Sequence, residues 1–327
     1  MNNLKEMNMK RRLWVLVALL WSSVAWAQDY PNRPIKLVVP FAPGGNIDFI
    51  ARTLGPKLSE YLGTAIVIDN RAGAGGIIGA AHATTQPPDG YTIFLGNTGT
   101  NAIYPAIYAK LPYDPLKDFA PVARTTTNEF LAAVHPGVPA NSLKEFIAHA
   151  KAHPGKVNAA VAGSGSSSHF AIEMVKREAG IDALVVPYKT SAPALTDLLG
   201  GQVQFMLDAP PVTLEYIKSG RLRGMAVTGS TRLASLPDVP TFDEAGLPGI
   251  NASGFQGVFA PAGTPPAILD KLADAVIKTL AQPEVRERLA SQGLNVAPMN
   301  PKEFTAFVQA EAPKWAQLAK AANIKAD

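Results

Sequence analysis

Short runs of β-branched and other apolar residues alternate along this chain with longer stretches whose apolar positions recur at helical spacing. The short runs predict strands over residues 35–39, 65–69, 92–96, 130–134, 157–161, 184–187, 203–208, 224–228 and 254–260. Helix-length amphipathic segments lie between most of them. Ile268, Leu269, Leu272, Val276 and Leu280 draw one apolar stripe over residues 265–280, and residues 302–321 repeat that spacing. A helix with one apolar stripe buries it, so these stripes belong to the core. Alternation of this kind predicts an α/β fold of βαβ units, with a parallel sheet covered on both faces.

No repeat of fixed period interrupts the pattern, but proline-rich breaks do, at residues 111–115 and 235–240. A chain of about 300 residues usually divides into two domains. Each break stands shortly before a place where the chain could cross between lobes. The expected organisation is a lobe of residues 128–250 inserted into one built from residues 28–127 and 251–327. The two crossings, near residues 125–130 and 248–254, would form a hinge.

The first 27 residues read as an address rather than as fold. Lys5, Lys10, Arg11 and Arg12 precede an apolar run at residues 13–20, and Ala25-Trp26-Ala27 offers a small-x-small cleavage site. That tripartite order predicts a cleaved export signal over residues 1–27, a mature chain from Gln28, and a periplasmic location. A twin-arginine signal is the weaker alternative, because Arg11-Arg12 lacks the polar flanks of that route. The signal also carries the charge. The full chain is +4, but 26 basic and 25 acidic residues remain after residue 27. No basic run with interleaved aromatics follows, so a nucleic-acid partner is excluded. No later stretch approaches the ~20 apolar residues of a membrane span. The absence of cysteine rules out a disulfide scaffold, and five dispersed histidines offer no metal site.

Candidate chemistry sits at two strand-turn-helix units of the same shape. In the first, the strand ending at Phe41 enters Ala42-Pro43-Gly44-Gly45-Asn46, and Ile47, Ile50, Leu54, Leu58 and Leu62 then mark a helix running to Gly63. In the second, residues 157–163 enter Ser164-Gly165-Ser166-Ser167-Ser168, followed by a helix through Ala171, Met174 and Val175. Glycines let backbone approach a ligand, first-turn N–H groups point outward unpaired, and the helix dipole favours an anion there. Taken singly, each turn is equally a tight connection or an ordinary serine cap. Taken together, one in each lobe, they suit a ligand with a carboxylate at one or both ends.

Catalytic patterns are weaker. Gly163-Ser164-Gly165 is not a Gly-x-Ser-x-Gly elbow, and nearby His169 reads as a cap or ligand contact. No catalytic residue is assigned, and no enzyme activity or cofactor is expected. The rival is a dinucleotide-binding oxidoreductase using the glycine-rich loop from Gly73 to Gly79 for NAD(P). That loop follows the second strand rather than the first, Asn70-Arg71-Ala72 intervenes, and no acidic residue closes a clear next strand. Tyr113 and Lys117 have dehydrogenase spacing, but Pro115 between them breaks the helix that would present both.

With these residues in view, the chain resembles the tripartite tricarboxylate transporter receptors, or Bug receptors. The resemblance rests on Tyr30-Pro31-Asn32-Arg33-Pro34-Ile35, on Val39-Pro40-Phe41-Ala42-Pro43-Gly44-Gly45 with Asp48 and Ala51-Arg52, on residues 69–76, and on Pro88-Asp89-Gly90-Tyr91-Thr92. It continues in order through residues 118–122, 163–169, 186–189, 197–202, 237–241 and 244–246. It implies a periplasmic-binding-protein type II fold, two α/β lobes with a ligand cleft between them. It further implies a monomeric receptor that hands a small carboxylate to the two membrane subunits of a cation-coupled secondary transporter. Carried over residue by residue, the ligand contacts would be Phe41, Ala42, Gly44, Gly45, Asn46 and Asp48 in the first turn, and Gly163, Ser164, Gly165, Ser166, Ser167, Ser168 and His169 in the second. Asn97, Thr98 and Thr100 would form a third wall, and Asp208 would close the far side. Arg52 and Arg71 are expected as ion-pair or loop-bracing residues rather than carboxylate clamps.

The chain departs from its family at Val161, Thr190, Asn101, Tyr104 and Ala209. Val161 and Ala209 offer no side-chain hydrogen bond, and Tyr104 brings an aromatic face. A carboxylate with an apolar or aromatic body is therefore expected ahead of citrate-like or amino-acid ligands, the alternative being that these positions lie behind the wall and leave the choice of ligand unchanged.

Overall fold

The computed structural model describes residues 30–163, 165–250, 252–321 and 324–325. The expected export signal, together with Ser164, lies outside the described residues. The chain builds β1 (Ile35–Val39), α1 (Asn46–Leu62), β2 (Ile66–Asn70), α2 (Ile77–Thr84) and β3 (Thr92–Asn97). A π-helical turn, Gly99–Ile103, leads into the short α3 (Tyr104–Ile107), followed by β4 (Phe119–Glu129) and β5 (Leu131–Val134). Then come α4 (Leu143–Ala152), β6 (Val157–Ala162), α5 (Ser167–Ala179), β7 (Ala183–Tyr188), α6 (Ser191–Leu199), β8 (Phe205–Asp208), α7 (Pro210–Lys218) and β9 (Arg223–Val227). The chain closes with β10 (Ser253–Pro261), α8 (Pro266–Ala281), α9 (Pro283–Ser291), β11 (Asn295–Met299) and α10 (Pro301–Ala321).

The helical stripes are buried as their spacing requires. Ile47, Ile50, Leu54, Leu58 and Leu62 line the buried face of α1, and Gly63 ends the helix with φ +66°, a left-handed position natural to glycine. Leu272, Val276 and Leu280 do the same on α8. Among the described residues no helix is long and apolar enough to cross a membrane.

Two sheets form, in the orders β11-β4-β10-β3-β1-β2 and β7-β6-β8-β5-β9. Neither is the purely parallel sheet that strand-helix alternation suggests. β1 pairs parallel to β2 and β3, and β6 parallel to β7 and β8, but β10 runs antiparallel to both neighbours, as does β5. The reason is topological. The chain leaves the first sheet through β4, starts β5 of the second one residue later, and returns through β10. β5 and β10, the strands through which the chain enters each sheet from the other, run against the βαβ strands, whereas β4, through which it leaves, shares their direction.

Two strands escape the apolar pattern. β4 holds Thr125, Thr126, Thr127 and Asn128 where a buried strand usually shows Val or Ile. Thr125, Thr126 and Asn128 are buried, and they are satisfied there by β10. The Thr125 hydroxyl donates to the Gln256 carbonyl (3.0 Å), the Thr126 hydroxyl to Gln256 Oε1 (2.6 Å), and Gln256 Nε2 to Asn128 Oδ1 (2.7 Å). β11, with Pro298 inside it, is an edge strand, the position where proline is tolerated.

Both crossings meet at Thr228. Its hydroxyl accepts from the Phe130 N–H (2.9 Å) and donates to the Ala252 carbonyl, and its own N–H donates to the Phe130 carbonyl (3.0 Å). A second link joins helices. Phe170 of α5 is buried against Trp315 of α10, ring centroids 5.6 Å apart and planes at 75°.

Candidate functional site

A cavity opens between the two sheets, enclosing about 820 Å³ of non-protein space with its mouth included. Phe41, Ala42, Pro43, Gly45, Asn46 and Ile47 come from the β1–α1 turn, and Asn97, Thr98, Gly99 and Tyr104 from the end of β3 and beyond. Asn128, Phe130 and Gln256 line it from the crossing strands. The other sheet supplies Ala162, Ser166, Ser167 and Ser168, then Thr190, Ser191 and Ala192, then Asp208 and Ala209.

Helix N-termini converge here. α1, α5, α6 and α7 all begin at the cavity, and their caps Gly45, Ser166, Thr190 and Ala209 belong to its wall. First-turn N–H groups have no intrahelical acceptor, and together with the aligned peptide dipoles they favour an anion. Gly45 and Thr190 make no side-chain capping bond, so nothing on their own side chains competes for those groups. No Lys, Arg or His stands among the described residues that line the cavity. The Asn46 Oδ1 is buried without a hydrogen-bond partner.

Several expected contacts serve the walls instead. Asp48 is 3% exposed and turned inward. Its Oδ2 accepts from Gly44 N–H (2.9 Å) and Arg52 Nε (2.8 Å), and its Oδ1 from Asn70 Nδ2 (2.9 Å). Burial alone would raise this carboxyl, but the Arg52 guanidinium, the Gly44 N–H and the Asn70 amide hold it below the ordinary carboxylate range. Asp48 is therefore a brace for the turn, not a lining group, and Gly44 is the amide it holds. Arg52 and Arg71 occupy ion pairs, with Asp48 and Asp69 respectively, both at 2.8 Å. Thr100 is wholly buried, its hydroxyl spent on Asn97 and Asn101.

In the second turn, Ser166, Ser167 and Ser168 line the cavity, whereas Gly163, Gly165 and His169 do not. Gly163 and Gly165 have positive φ, and they face the turn after β2 and the helix α3. A Cβ on Gly163 would lie 3.8 Å from Gly75 Cα, and one on Gly165 would overlap Ile107. His169 Nδ1 accepts from the Gly165 N–H (2.9 Å), which fixes the neutral tautomer with its proton on Nε2. Burial keeps its pKa below the usual value despite Glu173 nearby.

Of the departures from the family pattern, Tyr104, Thr190 and Ala209 line the cavity, while Val161 and Asn101 do not. Val161 is wholly buried in the core beneath β6. Ser191, Asn128, Phe130 and Gln256 are wall residues that sequence did not single out. The Thr190-Ser191 pair after a short apolar strand is a third strand-turn-helix signal that could have marked α6.

The glycine-rich loop after β2 has a packing role. A Cβ on Gly79 would stand 2.8 Å from Pro40 Cα and 2.9 Å from the Arg71 carbonyl, and the Gly75 carbonyl accepts from the Tyr104 hydroxyl at 2.6 Å. These glycines let α2 close on the end of β1, which removes the physical ground for a phosphate cradle.

Comparison with known proteins agrees with this architecture. A family model described as tripartite tricarboxylate transporter family receptor matches residues 50–324. The chain is 36% identical over 324 residues to Protein BugT of Bordetella pertussis (strain Tohama I), covering 98% of this chain and 99% of that one. Among solved structures, the periplasmic binding protein BugD superposes with a TM-score of 0.85 at 37% identity, covering 90% of this chain and 99% of the other. R. palustris Rpa4515 with adipate gives 0.88 at 35% identity, over 90% and 99% of the two chains. MatC (Rpa3494) from Rhodopseudomonas palustris with bound malate gives 0.82 at 36%, over 88% and 99%. The fold is that of the periplasmic binding proteins, two α/β lobes with a cleft between them.

Proposed function

The chain belongs to the tripartite tricarboxylate transporter receptor family, and on that premise we propose that it captures a small carboxylate with an apolar or aromatic body and delivers it to the membrane subunits of a secondary transporter. The observation that carries this reading is a cavity at which helix N-termini meet while no lining residue among the described ones is a cation. Hydrogen bonds to a charged group contribute ~1.5–3 kcal/mol each, so four to six main-chain and hydroxyl donors outweigh the cost of association and reach micromolar affinity, about −8 kcal/mol. Phe41, Tyr104 and Phe130 give the cavity an aromatic surface suited to a methylene chain or ring. Similar structures that hold adipate and malate make a carboxylate the natural class.

The receptor catalyses nothing and acts outside the cytoplasm after cleavage near Gln28. Residues 28–127 and 251–327 make one lobe and residues 128–250 the other, hinged where Thr228 joins Phe130 to Ala252. Thermal-shift screening of refolded, ligand-stripped protein tests the proposal. A carboxylate with an apolar body at a hundred times its Kd adds ~2.7 kcal/mol of stability. A library in which no carboxylate raises the melting temperature, while a sugar or NAD(P) does, defeats it. Intact mass of periplasmic material separately checks the cleavage, and recovery of the full-length chain there contradicts it.

A further inference from the structure

One wall of the cavity does not fit a site that only attracts anions. Asp208 ends β8 and lines the cavity, 7% exposed, with no ion pair among the described residues. Its two oxygens each take one protein donor, Ser191 Oγ on Oδ2 (2.8 Å) and Ala209 N–H on Oδ1 (2.7 Å). A carboxylate oxygen has a second lone pair, and here that acceptor capacity remains at the cavity wall. The neighbouring elements bring no compensating charge. β5 and β6, which flank β8, carry no titratable side chain. On α5, Glu173 pairs with Lys176 (2.8 Å) and stands 3.9 Å from His169, and Arg177 pairs with Glu178. On α6, Asp197 accepts from the Tyr188 hydroxyl (2.7 Å), and on α7, Glu215 pairs with Lys218 (3.1 Å). Tyr104, across the cavity, is committed to the Gly75 carbonyl.

We infer that Asp208 is a specificity-determining residue that requires the far end of the ligand to bring a proton. A hydroxyl or ammonium group satisfies it directly, whereas a second carboxylate is accepted only with uptake of one proton from water, shared between the two carboxyl groups. This deepens the carboxylate-receptor reading and rests on it. Two carboxylates in contact cannot both be ionised in a buried site, so one of them takes the proton. Burial already pushes the Asp208 carboxyl up to about 6, against the Ser191 and Ala209 donors. Above that value a dicarboxylate must bind with proton uptake. Below it the proton is in place before the ligand arrives.

Isothermal titration with adipate, 6-hydroxyhexanoate and hexanoate from pH 5.5 to 8, in buffers of different ionisation enthalpy, tests this. Adipate affinity should fall about tenfold per pH unit above pH 6, with about one proton taken up on binding. The affinity of 6-hydroxyhexanoate should stay level there and exceed that of adipate at least tenfold at pH 7.5. Asp208→Asn should make adipate binding level with pH. Should that variant not fold, the wild-type profile decides by itself. Adipate binding that is level in the wild type without proton uptake overturns the inference, as does hexanoate binding with no adipate binding at any pH. Binding by none of the three defeats the receptor reading itself, and the inference with it.

Discussion

Two buried aspartates stand beside the same cleft, Asp48 behind the first strand-to-helix turn and Asp208 on the wall of the opposite lobe, and they are treated in opposite ways. Asp48 is surrounded by donors from Gly44, Arg52 and Asn70 and is held as a carboxylate. Asp208 has two neutral donors and no cation, and burial raises its pKa. Burial alone therefore says little about what an acid does. The donor count separates a carboxylate that shapes a loop from one left to meet a ligand.

The largest effect expected is at Asp48. Asp48→Ala removes the acceptor of the Gly44 N–H and the Arg52 Nε and one of the two bonds of the Asn70 amide, and should remove roughly 3 kcal/mol in urea unfolding, with Asp48→Asn losing less. A loss under about 0.5 kcal/mol, the size of an ordinary surface change, would show the brace to be idle. The next test is pH dependence, where the two acids have opposite signs. Asp48 is depressed in the fold, so its contribution is present above the ordinary carboxylate pKa and lost on acidification through its folded value. Asp208 is raised to about 6, so the fold holds that proton more tightly than the unfolded chain. Stability of the ligand-free protein should therefore fall as pH rises from about 4 to 6, by roughly 2–3 kcal/mol from this group alone. Asp208→Asn should abolish that decline while leaving the acid limb, and an unaltered profile would remove the contrast.

The turns themselves differ more modestly. Gly44 has φ +89° with open space around it, whereas Gly165 has φ +69° and faces buried Ile107. Gly44→Ala should cost about 1 kcal/mol from backbone strain, and Gly165→Ala about 2 because Ile107 must also repack. Equal melting temperatures for the two variants would mean that the second loop is not seated on the facing lobe. Smallest of all, Ser166→Ala deletes the cap on α5 and should cost about 1 kcal/mol, while Gly45 on α1 has no side-chain cap to lose.

How much of this was legible beforehand followed the range of the interactions involved. The α1 and α8 stripes and both glycine-bearing turns were readable, because their residues are neighbours in sequence. β4 was not, since its threonines become core only through Gln256, about 130 positions away. Phe130, Asn128 and Gln256 reach the cavity for the same long-range reason. In sequence Asp48 looks like a ligand contact, yet Arg52 lies four residues on, the helical spacing that pairs an acid with a base. Whether Val161 meets the cavity is not legible in sequence, because one-residue alternation on β6 decides between core and cleft, and only the packing of the sheet fixes which face is which.

The missing side-chain cap at Gly45 has an evolutionary consequence. An anion seat made of peptide N–H groups belongs to the path of the backbone, so most substitutions around it leave the charge-binding function intact, and proline is the main residue that deletes a donor outright. On the proposed reading, the lining at positions such as Thr190 and Ala209 can be rewritten while the backbone donors stay in place.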